Sequence, residues 1–456
     1  MGSARRRPLF RHQHPQGAVT ISDARRAASS GAASPSHAPS LFKQKWLLAL
    51  VVTAGILNYV DRQLIAVLKP ILARELGWSD ADYGDLAAVF QFGAVLAFPL
   101  VGWLVDRLGP RTSNLIAVGS WSLAAAAHGL AVTLGQFAAA RLALGATEAM
   151  GTPTAIKTLA ALFDSRGRAL ALGVMNAASS VGAIVTPLAL PAFALLVGWR
   201  MCFLCVGALG LFWCAAWMVF SARISWPTRE TNADERKDEP KDGLRDGLGD
   251  SWRVILADRA TWALVGAKVL SDQAWWLLLF WLPDLFNRLF HLDVAALGRP
   301  VACIYLMAAA GAFVGGALST TLARSQADLS VARGRVLAGS ALLAASMPLA
   351  LCVDQLWQAT AVLGLALAGH QSFSVNLFAT LTDAVPASRV GRVTALGALC
   401  GNLGGMALLA ATGRILSGGG GYLPILMVSA LAYLLAPVAL RALSPRRSRP
   451  LTAGDI

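Results

Sequence analysis

The chain has 456 residues, 56% of them hydrophobic and only 14% charged, and its mean hydropathy is +0.57. Soluble domains carry about 25% charged residues, so this composition excludes an ordinary soluble enzyme or binding module and points to a membrane protein. The net charge of +14 does not indicate nucleic acid as a partner. Lys and Arg cluster in short links between apolar runs, the pattern of the positive-inside rule.

Residues 1–42 are rich in Arg, Ser, Ala, Gly and Pro and contain no apolar stretch like that of a secretory signal. They read as a disordered cytoplasmic tail, with only a faint likeness to an organelle transit peptide. A membrane helix needs about 20 mostly apolar residues. Twelve such stretches follow, centred near residues 58, 95, 121, 149, 181, 210, 273, 310, 343, 367, 402 and 432. One link is long: residues 222–256 are dense in both charge signs and lack an apolar period, which predicts a solvated cytoplasmic linker. It separates a six-helix bundle over 43–221 from a second over 257–443, and 444–456 form a basic cytoplasmic tail. The expected fold is an all-α membrane protein of twelve transmembrane helices in two pseudo-symmetric bundles.

Orientation follows from the links. Arg107 and Arg111, Arg166 and Arg168, Arg324, Arg333 and Arg335, and Arg389 and Arg392 lie in alternate links, and both tails are basic. Both termini and the linker are therefore expected in the cytoplasm, in a bacterial inner membrane. "GRALALG" (167–173) opens the fifth span and "GRVTALG" (391–397) opens the eleventh, about half the chain apart. Two homologous halves with a site between them are a known transporter architecture. The six cysteines all sit in apolar stretches, so "CFLC" (202–205) reads as packing and nothing calls for a disulfide. No nucleophile–base pair and no metal-ligand spacing stands out, so neither an enzyme nor a metal or cofactor site is expected.

The link after the second span reads "GWLVDRLGPR", Gly102 to Arg111. It resembles the major facilitator superfamily signature G-x-x-x-D-R-x-G-R-R, with Pro110 in place of one Arg. The resemblance implies a conformational latch built from Gly102, Asp106, Arg107, Gly109 and Arg111. Four further stretches, "NYVDRQ" (58–63), "RLALGATEAMGTPTAIKTLAALF" (141–163), "AKVLSDQAWWLLLFWLPDLF" (267–286) and "GHQSFSVNLFATLTDAVP" (369–386), resemble the anion:cation symporter family and its hexuronate-transporter branch. That implies proton-coupled uptake of an organic anion, typically a sugar acid, with Glu148 sharing the proton-coupling role with Asp61 and Arg141 tuning it. In that family the second span usually carries a Tyr that reaches substrate. Ala94 stands there in this chain, with Gln91 one turn earlier.

The residues themselves support a buried site. Asp61 and Arg62 interrupt an apolar helix, where each charge costs about 2.5–3.5 kcal/mol at mid-membrane. As neighbours they project about 100° apart, so each needs its own partner or a watery cavity. An Arg fork matches a carboxylate, which makes Arg62 the expected anion ligand. Asp61 is the expected proton carrier, and Tyr59, one turn before Arg62 on the same face, either hydrogen-bonds substrate or packs as a lone aromatic. Arg141 and Glu148 are two turns apart on one face, roughly 10 Å along the axis and too far for a short ion pair. Lys268 and Asp272 form an i, i+4 pair; either they satisfy each other, or Lys268 holds the anion beside Trp275. Asn176 and Ser179, with Gln371, Asn376 and Asn402, either bind hydroxyls or join helices. The predicted mechanism is alternating access by a monomer, with the substrate carboxylate between Arg62 and Lys268. The alternatives are a proton-antiport efflux transporter, although the fifth span "VGAIVTPLALP" lacks a G-P-x-x-G-G motif, and a transporter-like sensor, although no segment is long enough for a sensor domain.

Overall fold

A computed structural model describes residues 41–222, 224, 226, 252–325 and 329–443. The expected tails, apart from Leu41 and Phe42 at the start of the first helix, and most of the expected linker lie outside these residues. The last residues of that linker are described, and they belong to a short helix, α7 (Trp252–Ala257).

The first half contains α1 (Leu41–Leu76), α2 (Asp80–Leu130), α3 (Leu134–Glu148), α4 (Gly151–Leu162), α5 (Ser165–Val197) and α6 (Trp199–Ser221). After α7 the second half contains α8 (Arg259–Phe290), α9 (Gly298–Ser325), α10 (Leu329–Ala344), a 3₁₀ turn (Met347–Cys352), α11 (Leu356–Ala384), α12 (Ala387–Ser417) and α13 (Tyr422–Leu443). Among the described residues, ten helices are long and apolar enough to cross a membrane. Two features bring this to the expected twelve spans. The 51-residue α2 is two spans joined at Gly109, whose φ of 72° breaks the helix. That left-handed geometry strains any residue with a Cβ, which is why a Gly closes the latch sequence. The fourth expected span is divided into α3 and α4. Pro153 has no N–H to offer the carbonyl of Ala149, so the helix interrupts directly after Glu148.

Helix starts are written locally. Ser79 caps α2 in a reciprocal box with Asp82, Thr133 caps α3 with Gln136, and Asp164 and Asp258 cap α5 and α8. Packing repeats between the halves: α1 lies on α5 and α6 as α8 lies on α12 and α13, and α2 lies on α3 as α9 lies on α11. The halves meet mainly through α2 with α12 and α5 with α9, a symmetric pair, and through α1 with α8. The two helices that carry the repeated GR-x-x-ALG sequence are thus equivalent members of the interface. Close approach of α2 and α12 depends on small residues, because a Cβ on Gly84 would stand 2.8 Å from the Leu409 carbonyl and 2.9 Å from the Gly413 Cα. Bulky apolar side chains such as Leu100, Phe212, Phe313 and Val438 project outward along the spans, as a surface facing hydrocarbon requires.

Candidate functional site

The helix that carries Asn58, Tyr59, Asp61 and Arg62 is α1, and each member meets a different environment. The Arg62 Nε donates to Glu148 Oε2 at 2.6 Å, joining the middle of α1 to the last residue of α3. Its guanidinium carbon also lies 5.3 Å from the Tyr59 ring centre, 5.9 Å from Phe90 and 6.0 Å from Trp276 of the second half. Arg62 is therefore not a free cavity cation, as the sequence suggested, but an ion-paired one that still borders a cavity. The Glu148 side chain is 1% exposed, and that of Arg62 is 18% exposed.

Behind this pair, Asp61 (3% exposed) and Arg141 (0%) are buried and interact electrostatically with Glu148 and with each other. Among the described residues, all three guanidinium nitrogens of Arg141, Oδ1 of Asp61 and Oε1 of Glu148 have no hydrogen-bond partner. The same holds for both amide atoms of Gln91, beside the Ala94 position. Such orphaned groups are costly in a low-dielectric interior, and those of Asp61, Arg141 and Glu148 belong to one interacting set. The set contains two carboxylates and two guanidinium groups, so it is charge-balanced. The Phe90 ring centre lies 5.8 Å from the Arg141 guanidinium and 5.9 Å from that of Arg62, so both cations share one aromatic neighbour.

A cavity of about 210 Å³ opens beside Arg62. Asn58 and Tyr59 of α1, Trp121 of α2, Thr152 of α4, and Asn176 and Ser179 of α5 supply its polar lining. Tyr59, Arg62, Asn176 and Ser179, four of the substrate-binding candidates named from the sequence, all line this cavity, and within each helix positions three apart share a face.

The second-half candidates are not gathered there. Lys268 Nζ donates to Asp272 Oδ2 at 2.6 Å within α8 and lies 5.0 Å from the Phe378 ring centre. Lys268 lies eight residues before Trp276, roughly 12 Å along the helix, and is not among the residues lining the cavity beside Arg62. Trp275 stacks on His370 with ring centres 5.2 Å apart, and His370 bonds Tyr433. It is Trp276, one residue on, that faces Arg62. Asn376 donates to the backbone carbonyls of Ser372 (2.8 Å) and Gly315 (3.2 Å), and Asn402 to that of Ala398 (2.7 Å). Asn376 thus ties α11 to α9, whereas the bond of Asn402 stays within α12; Gln371 is half-buried with no hydrogen bond among the described residues. Asn376→Ala is expected to lower the melting temperature of the purified protein without changing substrate affinity, since each such bond contributes about 0.6 kcal/mol. An affinity loss at unchanged stability would restore a ligand role.

The latch sequence is engaged within its own half. Asp106 accepts a bond from Lys157 of α4 at 2.9 Å, Lys157 also donates to the Val105 carbonyl, and the Arg111 carbonyl accepts from Trp217 of α6. Arg107 is exposed beside Trp103.

A network not singled out in the sequence ties the halves at the end of the molecule away from the termini. Lys69 of α1 bonds Asp80 of α2 (2.7 Å) and Asp284 of α8. Asp284 also accepts from Arg288 (2.7 Å) and from Tyr422 of α13 (2.6 Å), and Arg288 reaches both oxygens of Asp80 at 2.6 Å. Tyr83 donates to the Phe280 carbonyl nearby at 2.6 Å, and Lys69 lies 4.7 Å from the Trp281 ring centre. Charged residues inside the apolar runs "AVLKPIL" and "WLPDLF" were the available signal, because a charge in a span requires a partner.

Twelve spans in two pseudo-symmetric bundles, with a buried balanced charge set and a polar cavity between helices, define a polytopic membrane transporter. The family model described as Major Facilitator Superfamily matches residues 51–408, and the chain belongs to that family. It is 30% identical over 286 residues to a probable L-galactonate transporter of Escherichia coli (strain K12), covering 62% of each chain. It is 26% identical to the hexuronate transporter of the same strain (60% of this chain, 65% of the relative). It is also 26% identical to the galacturonate transporter of Dickeya chrysanthemi (66% and 88%). The match thus spans less than two thirds of the length of the first two relatives. Among solved structures, a D-xylose-proton symporter superposes with a TM-score of 0.68 at 14% identity, covering 89% of this chain and 98% of that one. A bacterial homolog of the human lysosomal transporter Spinster superposes with 0.66 at 20% identity, covering 89% and 96%.

Proposed function

We propose that this transporter takes up a sugar acid together with a proton by alternating access. The observation that carries the reading is charge balance: Asp61 and Glu148 offset Arg62 and Arg141 in one buried cluster. A proton on either carboxyl leaves one cation in excess, and a monovalent anion in the adjoining cavity restores neutrality. Each therefore favours binding of the other, and the loaded and empty sites carry the same net charge. In a low-dielectric interior an uncompensated charge costs several kcal/mol, so the half-loaded states are disfavoured.

Arg62 is the shared element. Its guanidinium pairs with Glu148 and also borders the cavity. Protonation of Glu148 weakens that pair and frees the fork for a substrate carboxylate, which it matches with two parallel bonds. Tyr59, Asn176 and Ser179 would meet hydroxyl groups, and Trp276 would bring a second-half aromatic surface to the carboxylate end. Lys268 has no contact with this site in the arrangement described, and its pairing with Asp272 favours a structural role. The tie at the end away from the termini belongs to a state closed on that side. With the termini in the cytoplasm of a bacterial inner membrane, that state faces inward, and a single chain holds the whole site. The named substrates of the relatives, galactonate, hexuronate and galacturonate, agree with an anion site lined by hydroxyl partners.

The test is uptake of labelled glucuronate or galacturonate into vesicles with an imposed inward proton gradient. Uptake is expected to rise with the gradient, and Arg62→Ala is expected to reduce it by at least roughly tenfold, given about 1.5–3 kcal/mol for a hydrogen bond to a charged group. Uptake indifferent to the gradient, or unchanged in Arg62→Ala, would overturn the proposal.

A further inference from the structure

A second cavity, of about 460 Å³, lies well away from the charge set, between α9, α10 and α11. Its walls are apolar or small: Met307, Val314 and Leu318 on α9, Gly339 and Leu343 on α10, and Leu365 on α11. Packing places it on the outer face of the second bundle, because α10 rests chiefly on α11, α13 and α9 and not on the first half. The neighbouring side chains Phe313, Val314 and Leu342 are 76%, 64% and 65% exposed, which in a membrane span means exposed to lipid. From Met307 to Leu322 the groove follows about 22 Å of α9. Half the hydrocarbon core is about 15 Å deep, so the groove runs the length of one leaflet's acyl chain.

Among the described residues, its rim is charged at one end only. Arg335 lines the groove near the start of α10, on the side of the termini, and is exposed. Among the described residues it has no ion-pair or hydrogen-bond partner, whereas Arg333, two residues earlier, is bound to Asp383 and to the Ala379 carbonyl. Among the described residues, no carboxylate lines the groove. A cation at the polar end of a lipid-facing apolar groove is complementary to a phosphate at the end of an acyl chain. We propose that this groove holds one acyl chain of an anionic phospholipid, with its phosphate against Arg335.

Gly339 makes the proposal testable without disturbing the core, since a Cβ built there meets nothing within 4 Å. The full chain is purified in detergent and titrated with phosphatidylglycerol or phosphatidylcholine of identical acyl chains, and bound lipid is counted by native mass spectrometry. Phosphatidylglycerol is expected to be retained about fivefold better, the ratio corresponding to about 1 kcal/mol per basic residue near an anionic headgroup. Arg335→Ala is expected to bring the two lipids level and Arg335→Lys to keep most of the difference. Gly339→Leu is expected to displace both lipids while circular dichroism and elution volume stay unchanged. Equal retention of the two lipids by the native protein, or retention unaffected by Gly339→Leu, would overturn the proposal. A dimer that Gly339→Leu dissolves without any dependence on lipid would equally overturn it, by making a second copy the occupant.

Discussion

Glu148→Gln is expected to bind a sugar acid more tightly than the native protein while losing its response to a proton gradient. The amide keeps the shape of the carboxyl and removes its charge, so Arg62 loses the negative charge it pairs with at 2.6 Å and keeps at most a weaker neutral acceptor. A hydrogen bond to a charged group contributes about 1.5–3 kcal/mol, so an Arg62 released from that competition should lower the substrate Kd by roughly tenfold to a hundredfold. The variant resembles the protonated state permanently. It should therefore still exchange labelled for unlabelled substrate in counterflow, yet fail to accumulate substrate when a gradient is imposed. Asp61→Asn offers the comparison. No hydrogen bond joins Asp61 to Arg62 among the described residues, and its Oδ1 has no partner, so that change should alter coupling with a smaller effect on affinity. Calorimetry and counterflow in proteoliposomes separate the two readouts. Full gradient-driven accumulation by Glu148→Gln would remove Glu148 from the coupling mechanism and leave Asp61 as the proton carrier.

Lys69→Met is expected to open the end of the molecule away from the termini. Lys69 is buried at 3% exposure and joins two acidic residues, Asp80 of the first half and Asp284 of the second. Removing one partner of a buried charged set costs about 3–5 kcal/mol, because the remaining charges are left in a poor solvent. Arg288 still bridges Asp80 and Asp284, so the halves remain linked, but Asp284 keeps one cation where it had two. Water can relieve that deficit only if the outer end parts. Spin labels at Arg74 and His291, both beside this network, in a background with the native cysteines replaced, should show a longer mean separation in Lys69→Met than in the native protein. The double change Lys69→Met/Asp284→Leu should recover part of the lost thermal stability, because it removes the stranded charge as well as its partner. An unchanged label separation would show that the network is structural and not a gate.

Where the two kinds of information diverge, the reason is geometric. Tyr59, Arg62, Asn176 and Ser179 were assigned to one site on residue type and helical spacing, and the cavity beside Arg62 includes all four. Lys268 and Trp275 were assigned to the same site, but neither lines that cavity: Lys268 pairs with Asp272, and Trp275 packs on His370 and Tyr305. Spacing along α8 placed them on a common face of one helix but carried no information on how far along its axis the first half would meet it. The choice between Trp275 and Trp276 depends on about 100° of rotation, which is set by packing against α12, where the Trp276 ring lies so close to Gly405 that a Cβ there would stand 2.5 Å from it. The same limit hid the Arg62–Glu148 pair, whose partners are 86 residues apart.

Composition and the period of apolar runs by themselves determined that this chain crosses a membrane twelve times in two repeated halves. That information is local: a span needs only enough consecutive apolar residues to satisfy its own backbone within hydrocarbon. The kink at Gly109 and the break after Glu148 were also local, set by a left-handed Gly and by a Pro without an N–H. Only the tertiary structure decided which buried charges neutralise which. A charge inside a span must find a partner, yet the sequence does not say on which helix, and ion pairing is settled by side chains meeting within about 4 Å. Arg62 therefore belongs to Glu148, Lys268 to its own helix, and Lys69 to Asp80 and Asp284, a tie between the halves that residue order alone could not reveal.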